Sequence, residues 1–145
     1  MIKKSLFKII CFTSLITGAM IGILPLIPPL IWIAFLAVMF LSAPFMIIYL
    51  KKLNLINKFE IEESLVIGSI SGAFAFLGFA VVYFPAALIL YLIFKIQSFL
   101  WIKVMFTNFG FLISMIILIT LLSALLNMFS GFLTVYLCKY NKSEK

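Results

Sequence analysis

The chain has 145 residues, of which 66% are hydrophobic and 10% are charged, whereas a soluble domain is about 45–50% apolar and about 25% charged. Its mean hydropathy is +1.34, so it carries too few polar side chains to cover a water-exposed surface. These values exclude a water-soluble globular fold and predict an all-α integral membrane protein.

The charged residues are eleven lysines and four glutamates, because the sequence contains no histidine, arginine or aspartate. A Ser-His-Asp triad, an H-E-x-x-H zinc site and an aspartate-based phosphoryl-transfer centre are therefore excluded. We predict a protein that is not an enzyme and has no catalytic residues, cofactor or metal. Anionic lipid headgroups account for the net charge of +7, and no stretch has the pattern typical of nucleic-acid binding.

Uncharged segments between lysine clusters predict four transmembrane helices in a bundle. The segment from Ile9 to Leu50 carries no charge and is about twice as long as the ~20 residues that one span needs. Pro25, Pro28 and Pro29 mark the turn inside it, because proline disfavours helix at the preceding residue and suits a first helical turn. Residues 1–145 then form one polytopic domain, with spans at about 9–24, 29–50, 64–84 and 106–138.

The third uncharged segment, Ser64 to Phe94, is too long for one straight helix across a ~30 Å core. Two interpretations stay open. Either Pro85 ends the third span at about Phe84 and residues 85–105 form an interfacial helix, or one tilted, proline-kinked helix reaches Phe94.

The distribution of lysines predicts the orientation of the four spans. Both termini and the loop over residues 51–63 carry nine lysines, whereas the other side carries only Lys95 and Lys103. By the positive-inside rule the termini are cytoplasmic. The tryptophans and tyrosines fit interfacial belts on the outer side (Trp32, Tyr83, Tyr91, Trp101) and on the inner side (Tyr49, Tyr136, Tyr140).

A cleaved signal peptide is the alternative at the N-terminus. Lys3, Lys4 and Lys8 precede an apolar stretch, and Thr17-Gly18-Ala19 resembles a small-residue cleavage site. The apolar run continues after Ala19 without a polar break, which argues against cleavage. Cleavage would leave three spans and an outer N-terminus.

Five small polar side chains recur along the predicted fourth helix at spacings of three and four residues. A helix with 3.6 residues per turn places them in one stripe, which we call the polar seam. In lipid the seam should face protein, because an asparagine amide needs hydrogen-bond partners. It serves either interhelical hydrogen bonding or the lining of a polar pathway. Its members are Thr120, Ser123, Asn127, Ser130 and Thr134.

Small residues at every fourth position predict close helix packing on the first and third spans. The first span carries Ser14, Gly18 and Gly22; the third carries Ser64, Gly68 and Gly72, with Ser71, Ala75 and Gly78 on the same side. The partner helix is in the same chain or in a second chain. The similarity of residues 17–19 to residues 71–73 hints at a duplicated two-helix unit, but the match fades outside them.

Two prolines lie within predicted spans. Pro44 leaves the carbonyl of Phe40 without its amide partner and should kink the second helix, and Pro85 would do the same to Val81. Such breaks expose backbone oxygens to ions in many transporters. The simpler interpretation is that proline is common in membrane helices.

The remaining polar groups have simple structural interpretations. Glu60, Glu62 and Glu63 precede the third helix, where the helix dipole favours negative charge, although carboxylates can also bind a divalent cation or a basic partner. Cys11 and Cys138 lie near predicted cytoplasmic helix ends, where a reducing compartment disfavours a disulfide.

Function is constrained mainly by what the spans lack. No ionisable residue lies in the middle of a predicted span, although ion-coupled transporters usually need one. We expect an accessory, assembly or regulatory subunit that packs with itself or with another membrane protein. The alternative is a small oligomeric transporter or channel with its path along the polar seam. The all-lysine basic content and the richness in Ile, Phe and Asn suggest an AT-rich bacterial genome, and hence the bacterial inner membrane.

Overall fold

The structure is a computed structural model that describes residues 4–53, 55 and 61–143. The regular structure of these residues is helical, with three short 3-10 turns at Leu24–Leu26, Pro28–Leu30 and Gln97–Phe99. Of the charged residues, five lie outside the described residues: Lys3, Lys58, Glu60, Glu144 and Lys145. The helices are α1 (Lys4–Ile21), α2 (Ile31–Phe40), α3 (Ser42–Lys52), α4 (Ile61–Phe94), α5 (Leu100–Thr107) and α6 (Phe109–Ser143).

The helices are long and apolar enough to cross a membrane three or four times. In the described chain, the segments Ser5–Leu26, Ile61–Phe94 and Phe109–Cys138 each meet the length and hydropathy that a span needs. Pro28–Phe40 and Ser42–Lys52 meet them only together, as a pair bent by 55°. The expected membrane class is thus supported at the level of three to four candidate spans.

The second predicted helix, 29–50, is two helices in the structure. The break is at Leu41, whose N–H donates to the Ala37 carbonyl at 2.9 Å and whose carbonyl accepts from Phe45 N at 3.1 Å. Pro44 explains its position, because a proline without an N–H removes the bond to the residue four positions earlier, Phe40. The distortion expected at Pro44 is therefore a break one turn before the proline.

Of the two interpretations left open at Pro85, the structure agrees with the continuous helix: the third helix runs through Pro85 to Phe94, and residues 85–94 are not part of a separate helix. These residues belong to α4, and only α5 forms a separate short helix before α6. A proline costs one backbone hydrogen bond, and its fixed φ is itself helical, so a long apolar helix tolerates it. The helix ends where Lys95 adopts a φ of 52° and donates its N–H to the Tyr91 carbonyl at 2.9 Å.

Helix α4 is the central element of the bundle, with α1 packed on one side and α6 on another. Gly18 and Gly22 lie against Ala75 and Phe79, so α1 runs parallel to α4. On the other side Gly68 faces Asn127 and Gly72 faces Ser123, so α6 runs antiparallel to α4.

Two apolar clusters mark the two ends of the bundle. One contains Ile10, Leu50, Ile67 and Val135, which brings the start of α1, the end of α3, the start of α4 and the C-terminal part of α6 to one end. The other is rich in aromatic side chains and joins α2, α4, α5 and α6. On α6 the polar seam lies between Leu112 of this cluster and Val135 of the first.

Candidate functional site

The candidate site is the contact between the polar seam of α6 and the break between α2 and α3. Ser123 and Asn127 are both fully buried, with 0% of their surface exposed. Buried polar side chains are stable only when they are hydrogen-bonded. Their partners therefore decide what the seam can do.

Asn127 fills the gap in the backbone hydrogen bonds left by the break at Leu41. Its Oδ1 accepts a hydrogen bond from Ala43 N at 2.9 Å. Its Nδ2 donates to the carbonyl oxygens of Val38 at 2.9 Å and Met39 at 2.8 Å, and it lies 3.0 Å from the Ser123 carbonyl in its own helix. A carboxamide has two N–H groups and one carbonyl oxygen, so each of its polar atoms is engaged.

Two serine hydroxyls also donate hydrogen bonds to the carbonyls at this end of α2. Ser130 Oγ donates to the Phe40 carbonyl at 2.7 Å, which is the oxygen that Pro44 leaves without an amide partner. Ser42 Oγ donates to the Val38 carbonyl at 3.0 Å. Three consecutive carbonyls at the C-terminal end of α2 thus receive hydrogen bonds from side chains, two of them on α6.

Glycines on α4 allow α6 to reach this position. Ser123 Oγ donates to the Gly72 carbonyl at 3.0 Å, which ties α6 to α4 directly. A Cβ at Gly72 would lie 2.5 Å from the Ser123 carbonyl oxygen, and one at Gly68 would lie 2.5 Å from the Asn127 carbonyl oxygen. Any side chain at either position would push α6 away from α4, and with it Asn127 away from the break.

The two threonines of the seam do not join this network. Thr120 Oγ1 donates to the Ile116 carbonyl at 2.7 Å, and Thr134 Oγ1 donates to the Ser130 carbonyl at 2.8 Å. Both bonds stay within α6. The structure therefore brings Ser123, Asn127 and Ser130 together around the break and leaves Thr120 and Thr134 outside it.

The small residues of α1 contact α4 of the same chain. A Cβ at Gly18 would overlap the carbonyl of Ala75, and one at Gly22 would lie 2.9 Å from the Phe79 carbonyl oxygen. Gly78 approaches Leu15 in the same way. Ser14 is 1% exposed, and its hydroxyl has no hydrogen-bond partner among the described residues. Ser64, on α4, donates to the Ile61 carbonyl.

The remaining candidate residues lie apart from the seam. Glu62 and Glu63 occupy the first turn of α4, and Cys11 and Cys138 are free thiols on α1 and α6. Pro85 lies in α4 beside Val81 at the bundle surface. Within the described residues, no group of three or more His, Cys, Asp or Glu side chains is placed to hold a metal ion.

Sequence reasoning identified both halves of this site without connecting them. The freed carbonyl of Phe40 and the partner-seeking amide of Asn127 are each visible in the sequence, but their pairing depends on how α6 packs. An aromatic cavity beside α4 is not predicted from the sequence, which predicts three of its lining residues, Trp32, Tyr83 and Trp101, only as members of an interfacial belt. The sequence does predict these three aromatic residues at the same depth in the membrane, and this common depth indicates that they can contact one another.

Comparison of the chain with protein-family models, with curated proteins and with solved structures finds no match.

Proposed function

We propose that this protein is a four-span helix bundle of the bacterial inner membrane and acts without catalysis, as an accessory, assembly or regulatory subunit. In this proposal α2 and α3 together make the second span, and both termini face the cytoplasm. The lysine distribution supports that orientation. The apolar cluster of Ile10, Leu50, Ile67 and Val135 joins the start of α1, the end of α3 and the C-terminal part of α6, which supports a common side for the two termini.

The hydrogen bonds of Asn127 are the observation that carries the proposal. A polar path needs groups that can exchange their partners for a passing solute. Both N–H groups and the oxygen of Asn127 are already bound to protein, and Ser130 and Ser123 donate to backbone carbonyls. Asn127 and Ser130 thus hold α6 on the broken second span, which favours a structural role over a transport role.

The outer face of α6 supports association with a partner. Only 11% of the most apolar window of this helix is buried within the chain, against 39% for the corresponding window of α4. Leu118, Leu125 and Phe129 are 68%, 58% and 62% exposed. This face must be covered by lipid or by another helix, and close packing between helices is what holds membrane subunits together.

Site-specific photocrosslinking in living cells tests this proposal. A photoreactive phenylalanine analogue would replace Leu118 or Leu125 on α6, with Phe12 on α1 as the matched control because it is also 69% exposed. We expect an adduct of one defined mass at the α6 positions and adducts with lipid alone at Phe12. An adduct of twice the protein's mass would identify a second copy as the partner. Lipid adducts at all three positions, with a monomer in mild detergent, would contradict the proposal.

The break between α2 and α3 is the observation that favours a second candidate function, a small oligomeric transporter or channel. Broken helices expose backbone oxygens near the membrane midplane in many transporters. Stopped-flow swelling of liposomes in glycerol or urea tests this candidate. Flux that is lost in Asn127→Leu and kept in the exposed control Asn108→Leu would support a path along the seam. Equal flux in both variants would exclude the seam as its lining.

A further inference from the structure

An open groove of about 590 Å³ lies on the surface of the bundle, between the N-terminal half of α1 and one side chain of α4. Its α1 residues belong to the segment Ser5–Leu26, which is long and apolar enough to cross a membrane. In the proposed four-span protein the groove therefore opens toward lipid, and its occupant comes from within the bilayer. The lining residues are Phe7, Lys8, Cys11, Phe12, Leu15 and Phe74.

The groove has its shape because a small side chain lies between large ones. Phe7, Cys11 and Leu15 follow one another at intervals of four residues, which places them along one face of α1. The short side chain of Cys11 leaves a gap between its two larger neighbours, and Phe74 adds a wall from α4. From Lys8 to Leu15 the lining extends about 10 Å along the helix axis, which is long enough to hold part of a hydrocarbon chain.

The two ends of the groove differ in charge. Among the described residues that line it, Lys8 alone is charged, and it lies within the first turn of the candidate span. Side chains on a helix lean toward its N-terminus, which favours an ammonium group at the nearer membrane surface. Phe12 and Leu15 lie one and two turns deeper and are 69% and 43% exposed. A basic end at the surface and an apolar end within the membrane fit a molecule with an anionic head and a hydrocarbon tail.

We propose that this groove binds one anionic glycerophospholipid of the surrounding membrane, with its phosphate beside Lys8 and one acyl chain along Cys11, Phe12 and Leu15. The charges of both partners strengthen a hydrogen bond between ammonium and phosphate, and a basic residue near the membrane surface attracts anionic lipid. A second copy of the chain fits less well, because a two-fold axis at the groove would bring two Lys8 side chains together. The site requires the proposed membrane location, but neither the proposed orientation nor the accessory role.

Native mass spectrometry of the full-length protein tests this site. The protein would be released from nanodiscs that contain equal amounts of phosphatidylglycerol and phosphatidylcholine with the same acyl chains, so that the two lipids differ only in the headgroup. We expect one phosphatidylglycerol to stay bound per protein, in preference to phosphatidylcholine. Lys8→Gln should lower this preference about fivefold, as the loss of one lysine near the surface predicts. Lys52→Gln removes an exposed lysine at the end of α3, outside the groove, and should leave the preference unchanged.

A second pair of variants fills the groove without changing its charge. Cys11→Phe should abolish retention of phosphatidylglycerol, whereas Cys138→Phe makes the same change at an exposed position on α6 and should keep it. Both variants should elute from size exclusion as the wild type does. If Cys11→Phe fails to fold, the exposed substitution Lys8→Gln decides by itself.

Three outcomes would overturn the proposal. They are equal retention of the two lipids by the wild type, the same preference in Lys8→Gln as in Lys52→Gln, and equal retention in folded Cys11→Phe and Cys138→Phe. Each is independent of photocrosslinking at Leu118 or Leu125, because the groove belongs to α1 and α4. A failure of the accessory role would therefore leave the lipid result unchanged.

Discussion

Asn127 carries the densest polar contact of the described residues. Its amide replaces backbone partners that Val38, Met39 and Ala43 lack at the break between α2 and α3. In water such groups would find other partners at little cost, but in an apolar environment an unpaired carbonyl or amide has none. The contribution of Asn127 to stability therefore depends on the backbone groups that lose a hydrogen-bond partner when its amide is removed.

Replacement of Asn127 by leucine keeps the side-chain volume and removes every hydrogen bond. We expect Asn127→Leu to lower the free energy of unfolding by about 2–3 kcal/mol, because two carbonyls and one amide lose a partner. The measurement is reversible unfolding in mixed micelles, followed by helicity. Asn108→Leu makes the same change at an exposed junction between α5 and α6 and should stay within about 0.5 kcal/mol of the wild type. Equal stability of the two variants would contradict the assigned role of Asn127.

At the scale of helices, the break between α2 and α3 and the hydroxyl of Ser130 depend on each other. Pro44 removes the amide that would pair with Phe40, and Ser130 supplies a donor in its place. If both observations describe one interaction, substitutions at the two positions cannot be additive.

A double-mutant cycle measures this coupling. We expect Ser130→Ala to destabilise the wild type by about 1 kcal/mol and to cost about 0.5–1 kcal/mol less in Pro44→Ala, where residue 44 has an N–H that can pair with Phe40. Unfolding of the four proteins in mixed micelles gives the coupling energy. Thr120→Ala, whose hydroxyl bonds within α6, should show no coupling to Pro44→Ala. Additive effects at Pro44 and Ser130 would mean that the hydroxyl does not replace the missing amide.

The contact between α1 and α4 is tested with one added methyl group. Gly18→Ala places a Cβ against the Ala75 carbonyl, and we expect a loss of about 1–3 kcal/mol from overpacking. Gly110→Ala is the control, since a Cβ there meets nothing within 4 Å among the described residues. An exposed helical glycine replaced by alanine should gain up to about 1 kcal/mol. The same sign of effect in the two variants, measured by unfolding in micelles, would contradict the close contact.

For the whole molecule, the apolar segments could be predicted from the sequence more accurately than the positions at which the helices bend. Charge-free stretches and prolines located α1, the turn after it, α4 and α6, because each depends on local composition. Pro44 gave the cause of the break and its place near Phe40, but not its angle of 55°, which depends on the donors that α6 presents. At Pro85 the sequence left two interpretations open, and α4 follows the continuous one to Phe94.

The seam shows the same limit in another form. Its spacing on α6 follows from the sequence, and so does the need of Asn127 for partners. The partners themselves lie 84–89 residues away in the chain, and no local pattern specifies them. The cavity was missed for the same reason, since its lining comes from four helices.

The orientation of the bundle is checked by labelling of introduced cysteines. In a background with Cys11→Ala and Cys138→Ala, we expect Leu55→Cys to react with a membrane-impermeant maleimide only after the inner membrane is permeabilised. Gln97→Cys, on the opposite side, should react in cells whose inner membrane is intact. Both positions are exposed, so access to the reagent depends on the side of the membrane. Labelling of Leu55→Cys in cells with an intact inner membrane would reverse the proposed topology.

The dependence of α2 on α6 also sets an order for biosynthesis. A chain leaves the ribosome from its N-terminus, so the carbonyls of Val38, Met39 and Phe40 are made long before Asn127 and Ser130. Until α6 is synthesised, the second apolar segment lacks the donors that complete its backbone. A nascent chain that stops before Asn127 would keep this defect, so the second apolar segment is completed only when the last helix is made.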